Sequence, residues 1–166
     1  MKCPKCGTTM VEQEEDVRHE DLPGVMLEDV EVQVCPTCDN RVRGYPRVLE
    51  LLEAVARLIV LKPTRLTATE IRFLLGVLDW SGADLARHFG TKPAVVSRWV
   101  NGHSRMALTA DRLLRLAVVQ AAGLEFELDQ LIGVAQGEPE PTAGRLRFVD
   151  GRWEIVALTE AMRVVA

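Results

Sequence analysis

Two cysteine pairs, Cys3-Pro4-Lys5-Cys6 and Cys35-Pro36-Thr37-Cys38, constrain this chain more than any other feature, and they hold all four of its cysteines. Two cysteines three residues apart can turn a short knuckle that aims both sulfurs at one point. Two such knuckles place four thiolates around one tetrahedral metal. One structural Zn²⁺ per chain is therefore expected on Cys3, Cys6, Cys35 and Cys38, with no coordination position left open for catalysis. Two disulfides are the alternative. They suit an oxidising compartment, whereas Met1-Lys2-Cys3 leaves no room for a secretory signal and points to the reducing cytoplasm. A thioredoxin-like redox site needs a single CxxC in a βαβ unit, and no such pattern is visible.

The segment between the knuckles reads as a small antiparallel sheet stapled by the metal. Val30, Val32 and Val34 alternate with Glu31 and Gln33, a period-two strand that runs into Cys35. Thr8 to Glu14 is its expected partner, and Asp21-Leu22-Pro23-Gly24 carries turn chemistry between them. So short a module buries too little apolar surface to fold alone, so its folding should be coupled to metal binding. Glu12, Glu14, Glu15, Asp16, Glu20 and Asp21 form an acidic run, expected as a solvated loop or as a contact surface for a basic partner.

After the knuckles the pattern changes from strand to helix. Pro46 suits a first helical turn, and Val48, Leu51, Leu52, Val55, Leu58 and Ile59 form one apolar stripe that ends before Pro63. Thr67 with Glu70 is a capping-box pattern that opens a helix through Leu78. Ser81 caps a helix from Gly82 to Phe89, closed by Gly90, and Thr91 caps another that runs to about Val100. A last helix begins near Thr109 or Ala110. The middle pair, with Leu85, Ala86, Phe89, Val95, Val96 and Trp99 turned inward, makes a helix-turn-helix.

Charge is distributed to match. The net charge is −4, but residues 1–45 carry five basic and ten acidic side chains, residues 64–116 eight and four, and residues 117–166 four and eight. A basic middle between acidic ends points to a nucleic-acid surface on the helical part. No apolar run is long enough to cross a membrane, because Val48 to Leu61 is interrupted by Glu50, Glu53 and Arg57.

Leu85-Ala86-Arg87-His88-Phe89-Gly90, Val96-Ser97-Arg98-Trp99 and Asn101-Gly102 resemble the helix-turn-helix of the XRE/Cro repressor family. Joined to the four-cysteine module, residues 1 to about 120 resemble the MqsA family of antitoxins. That resemblance implies a zinc domain that binds a toxin ribonuclease, and a second domain that dimerises and binds an inverted-repeat operator in double-stranded DNA. It places base reading at Arg98, with Lys92, Ser97, Asn101, His103 and Arg105 as backbone contacts. The chain departs from the family at Ala94, where an asparagine is usual, and at Gly82, where a glutamine is usual.

Leu146 to Val149, Asp150-Gly151 and Arg152 to Val156 read as a hairpin with a type I′ turn, in which Phe148 faces Trp153, Leu146 faces Ile155 and Arg147 faces Glu154. Gly137 to Thr142 reads as an exposed linker before it. His19, His88 and His103 lack metal-ligand spacing, and neither a nucleophile elbow nor a phosphate-binding glycine loop occurs, so no enzyme is expected.

The expected fold is mainly α, with a small zinc-stapled β module at the N-terminus, an XRE-like helical bundle and a C-terminal β-hairpin. Its parts are a zinc module (1–45), a connecting helix (46–63), a helix-turn-helix domain (64–123) and an extension (124–166). Three functions stay open: a DNA-binding antitoxin and autorepressor, a stand-alone zinc-containing regulator with no toxin, and an interaction adaptor without DNA binding.

Overall fold

The computed structural model describes residues 1–158, and the end of the expected C-terminal extension, 159–166, lies outside the described residues. Strand β1 (Val11–Arg18) pairs antiparallel with β2 (Val25–Val34), and the short β3 (Arg41–Arg43) pairs with the C-terminal end of β2. The chain then makes helix α1 (Val48–Leu61), the two-residue strand β4 (Thr64–Arg65), and helices α2 (Ala68–Val77), α3 (Gly82–His88), α4 (Pro93–Val100) and α5 (Leu108–Ala122). After a 3-10 turn at Leu128–Ile132 come β5 (Gln136–Pro139), β6 (Gly144–Val149) and β7 (Arg152–Leu158).

The strands overturn the mainly α expectation. β6 pairs parallel with the N-terminal end of β2, Val25 opposite Gly144 through Glu28 opposite Arg147, so the two ends of the chain close one mixed five-stranded sheet. Among the described residues, five helices and this sheet share the architecture. Local patterning could not reveal it, because a parallel partner lies far away in sequence and leaves no mark on either strand. All five helices sit inside the connection between β2 and β6.

β2 can carry this load because a bulge keeps its apolar residues on one face. Val25 and Leu27 are odd-numbered, Val30, Val32 and Val34 even-numbered, and a regular strand would turn one set to solvent. The register with β1 shifts between Glu15 and Val17, and Asp29 takes a left-handed backbone with φ 53°. That kink resets the phase, and all five residues are buried. β1 holds Glu12, Glu14, Glu15 and Asp16, so much of the acidic run is an edge strand rather than a loop.

The hairpin register matches the sequence expectation, with Phe148 opposite Trp153, Leu146 opposite Ile155 and Arg147 opposite Glu154. Asp150 (φ 49°) and Gly151 (φ 83°) supply the two left-handed residues of the turn. The hairpin docks on its own chain: Trp153 is buried and its indole N–H donates to the Pro46 carbonyl at 2.8 Å.

α1 touches β7, α2 and α5, so it links sheet and helices. It begins at Val48 rather than at Pro46, after Arg47 in a left-handed conformation. α2 and α3 open on capping boxes, Thr67 with Glu70 and Ser81 with Asp84. α4 has Lys92, not Thr91, at its N-cap position, with no side-chain cap bond and with Pro93 in its first turn, and α5 ends on Gly123 at φ 61°. Val17, Leu27, Val32, Leu58, Leu74, Trp99, Leu114 and Leu146 belong to one core that spans strands and helices alike. Among the described residues, no helix is long and apolar enough to cross a membrane.

Candidate functional site

The four cysteines meet at one end of the sheet. Their sulfurs all lie within 4.8 Å of one another, with Cys3 and Cys38 at 3.6 Å and Cys6 and Cys35 at 3.3 Å. Such separations are far too long for a disulfide bond, about 2.05 Å. They suit a metal-sulfur distance of about 2.3 Å, which in a tetrahedron gives edges of about 3.8 Å. The cluster could hold a metal ion.

The two knuckles are built alike. In the first, Gly7 N–H donates to Cys3 O (2.9 Å) and Cys3 N–H to Thr8 O (2.8 Å). In the second, Asp39 N–H donates to Cys35 O (3.0 Å) and Cys35 N–H to Asn40 O (2.9 Å). Gly7 (φ 74°) and Asp39 (φ 56°) fill the same left-handed position after the second cysteine of each pair, where glycine and aspartate are tolerated best. Cys3 and Cys35 are buried with Met10, and Cys6 and Cys38 are exposed.

Hydrogen bonding and neighbouring thiols shift two of the cysteines in opposite directions. Hydrogen bonding to the Thr8 side chain, 3.4 Å away, and to its backbone draws Cys6 down to about 6. The Asn40 amide draws Cys38 down, but contact with Cys6, burial, and contact with Cys3 and Cys35 outweigh it and push it up to about 12. Cys6 and Cys38 are thus moved in opposite directions. A dication removes the conflict by stabilising every thiolate at once.

The second group of expected residues lies on and after α4. Val96 and Trp99 are buried on the side of α4 that packs on α2 and α3, while Lys92, Ser97, Arg98, Asn101, His103 and Arg105 are exposed. The structure therefore brings all six to one helix and the loop that follows it. Their side chains are not equally free. Asn101 donates to the Ser97 carbonyl at 2.8 Å, capping its own helix, and Arg105 pairs with Glu138 on β5.

Charge counting misjudged the rest of the basic middle. Arg115 is fully buried and bonded to Asp111, Arg87 pairs with Asp84, Arg72 donates to Val100 O, and Arg65 donates to Met106 O at 2.8 Å. Arg112 reaches Val134 O at 3.5 Å. Of the eight basic side chains in 64–116, only Lys92 and Arg98 have no hydrogen bond or ion pair among the described residues.

Sequence reasoning also missed a buried polar network behind this surface. Arg115 donates to Ile59 O (3.1 Å) and Val60 O (3.0 Å) in the last turn of α1, and to Lys62 O (2.6 Å) and Thr64 O (2.7 Å) in the segment after it. Asp111 holds the Arg115 guanidinium at 2.7 Å and accepts from Leu66 N–H at 2.8 Å. Glu70 takes Lys62 at 2.5 Å and, with its other oxygen, Thr142 N–H at 2.7 Å. Burial pulls Lys62 and Arg115 below their ordinary values, while Glu70 and Asp111 oppose the shift. The parts of this network with a local sequence signal are the Thr67-Glu70 capping box and the i,i+4 spacing of Asp111 and Arg115 on α5.

Comparison with protein-family models, curated proteins and solved structures finds no match to this chain.

Proposed function

We propose that the protein is a sequence-specific DNA-binding antitoxin and transcriptional autorepressor of a type II toxin-antitoxin system, resembling the MqsA family. The observation that carries DNA binding is α4 itself. Its Val96 and Trp99 face is buried, its Ser97 and Arg98 face is open, and Arg98 has no side-chain partner among the described residues. A helix held this way by a preceding short helix presents its outer face to a major groove. Arg98 reads a base, and Lys92 and His103 meet the phosphate backbone. The repressor acts as a homodimer on an inverted repeat.

Zinc is the metal in this reading. Four thiolates with closed tetrahedral geometry select it over oxygen-seeking cations, and the ion is structural. Elemental analysis of reduced, folded protein should give one zinc per chain, and a metal-free folded preparation would sink the assignment.

The toxin would dock on the acidic first strand and the knuckles, where Glu12, Glu14 and Asp16 are exposed and a basic partner gains from steering. A second reading, a stand-alone regulator, gains weight from the packing. β2 gives its apolar face to the same core as the helices, so the N-terminal strands also serve the fold. Co-expression with the product of the adjacent gene separates the two. A small basic protein that copurifies and dissociates at high salt supports the antitoxin, and its absence supports the solitary regulator.

A further inference from the structure

The strap from Gly137 to Thr142 is exposed at Gly137, Glu138, Glu140 and Pro141, as its composition suggests, yet it is held at several points. Lys62 Nζ donates to Glu140 O at 2.5 Å, Glu70 holds Thr142, and Gln136 N–H donates to Pro63 O at 2.5 Å. β5 pairs parallel with β4, and Arg65 of β4 donates to Met106 O in the α4–α5 loop. The buried Lys62-Glu70 pair thus fixes a strap, and the strap sets Glu138 against Arg105. The Glu138 carboxyl is 74% exposed, so burial does not explain its place there.

We propose that Glu138 is an affinity-tuning residue that competes with DNA phosphate for Arg105 and so holds down the electrostatic part of binding to every sequence. This rests on the DNA-binding reading above. Phosphate contacts supply affinity without sequence information, so a carboxylate that occupies one cationic contact weakens all sequences alike. The discrimination that Arg98 supplies is left unchanged, because a factor common to every sequence cancels in their ratio; what Glu138 sets is the overall affinity and its salt dependence.

The test is a salt titration of zinc-loaded, full-length protein on a mixed-sequence 25-bp duplex, followed by fluorescence anisotropy. Glu138→Gln should bind roughly 2- to 5-fold more tightly per chain at low salt, the scale of one exposed ion pair. Its plot of log K against log salt should steepen by about one unit, as Arg105 becomes free to displace a counterion. In an Arg105→Ala background the same substitution should change neither quantity. Glu140→Gln, which removes a nearby exposed carboxylate, should have a smaller effect than Glu138→Gln. Equal gains from Glu140→Gln and Glu138→Gln, or a gain that survives Arg105→Ala, would reduce Glu138 to general repulsion and overturn the proposal. An unchanged Glu138→Gln overturns it too. Wild-type protein that binds no duplex at any salt overturns the DNA-binding reading along with it.

Discussion

At the residue scale, the strongest constraints are charges that the fold has taken out of water. Asp111 and Arg115 are both fully buried, and removing one partner strands the other. Asp111→Ala should therefore destabilise the protein by about 3 to 5 kcal/mol in urea unfolding. A loss below about 1 kcal/mol would show that water reaches the pair. Glu28 gives a pH signature. The Arg145 side chain, and Arg147 after it, hold its carboxyl below the usual range against a smaller opposing effect of burial. A carboxylate lowered in the folded state stabilises above its unfolded value, about 4.3, and loses that contribution as pH falls through the folded value. Glu28→Gln should consequently lower the urea midpoint at pH 7 and flatten its fall on acidification below about pH 4, and a parallel curve would contradict this. Residue identity alone showed the cysteines clearly, because spacing is their whole signal. It could not show that Arg115 is a buried staple rather than a surface cation, since the carbonyls it satisfies lie more than fifty residues away.

At the element scale, β2 decides how metal and fold communicate. Its C-terminal end leads into the second knuckle and its N-terminal end is clamped by β6. Cys3, Met10 and Cys35 form a small cluster apart from the main core, to which Val25 and Leu27 belong. Cys35→Ser, or chelation, should therefore release amide protection around residues 2–10 and 35–42, while Val25 to Glu28 stay protected in hydrogen exchange. Uniform loss over 1–45 would instead mark an autonomous module whose folding depends entirely on metal. Elements with strong local signals were legible in sequence, above all the Asp150-Gly151 hairpin and the Thr67 and Ser81 helix starts. The bulge at Asp29 was not, because it shows only when both halves of β2 are asked to face one core.

At the scale of the whole molecule, the sheet joins the two ends of the chain around the helices. Glu28 meets Arg145 across 117 residues of sequence, and Asp16 meets the same arginine. No period or motif encodes such a closure, which explains why a helical core with separate β appendages was the natural reading of the sequence. The joined architecture bears on function, since strands, strap and helix α4 now share one scaffold. On the proposed function, this scaffold offers α4 to DNA. The most direct test is selection of bound duplexes from a random pool by zinc-loaded protein, with Arg98→Ala run in parallel. If α4 enters the major groove as proposed, the pool should yield an inverted repeat with half-sites about 10 bp apart, and Arg98→Ala should lose about 1 to 3 kcal/mol in binding to that site. Lack of any enriched sequence, or an enriched sequence bound equally well by Arg98→Ala, would contradict it.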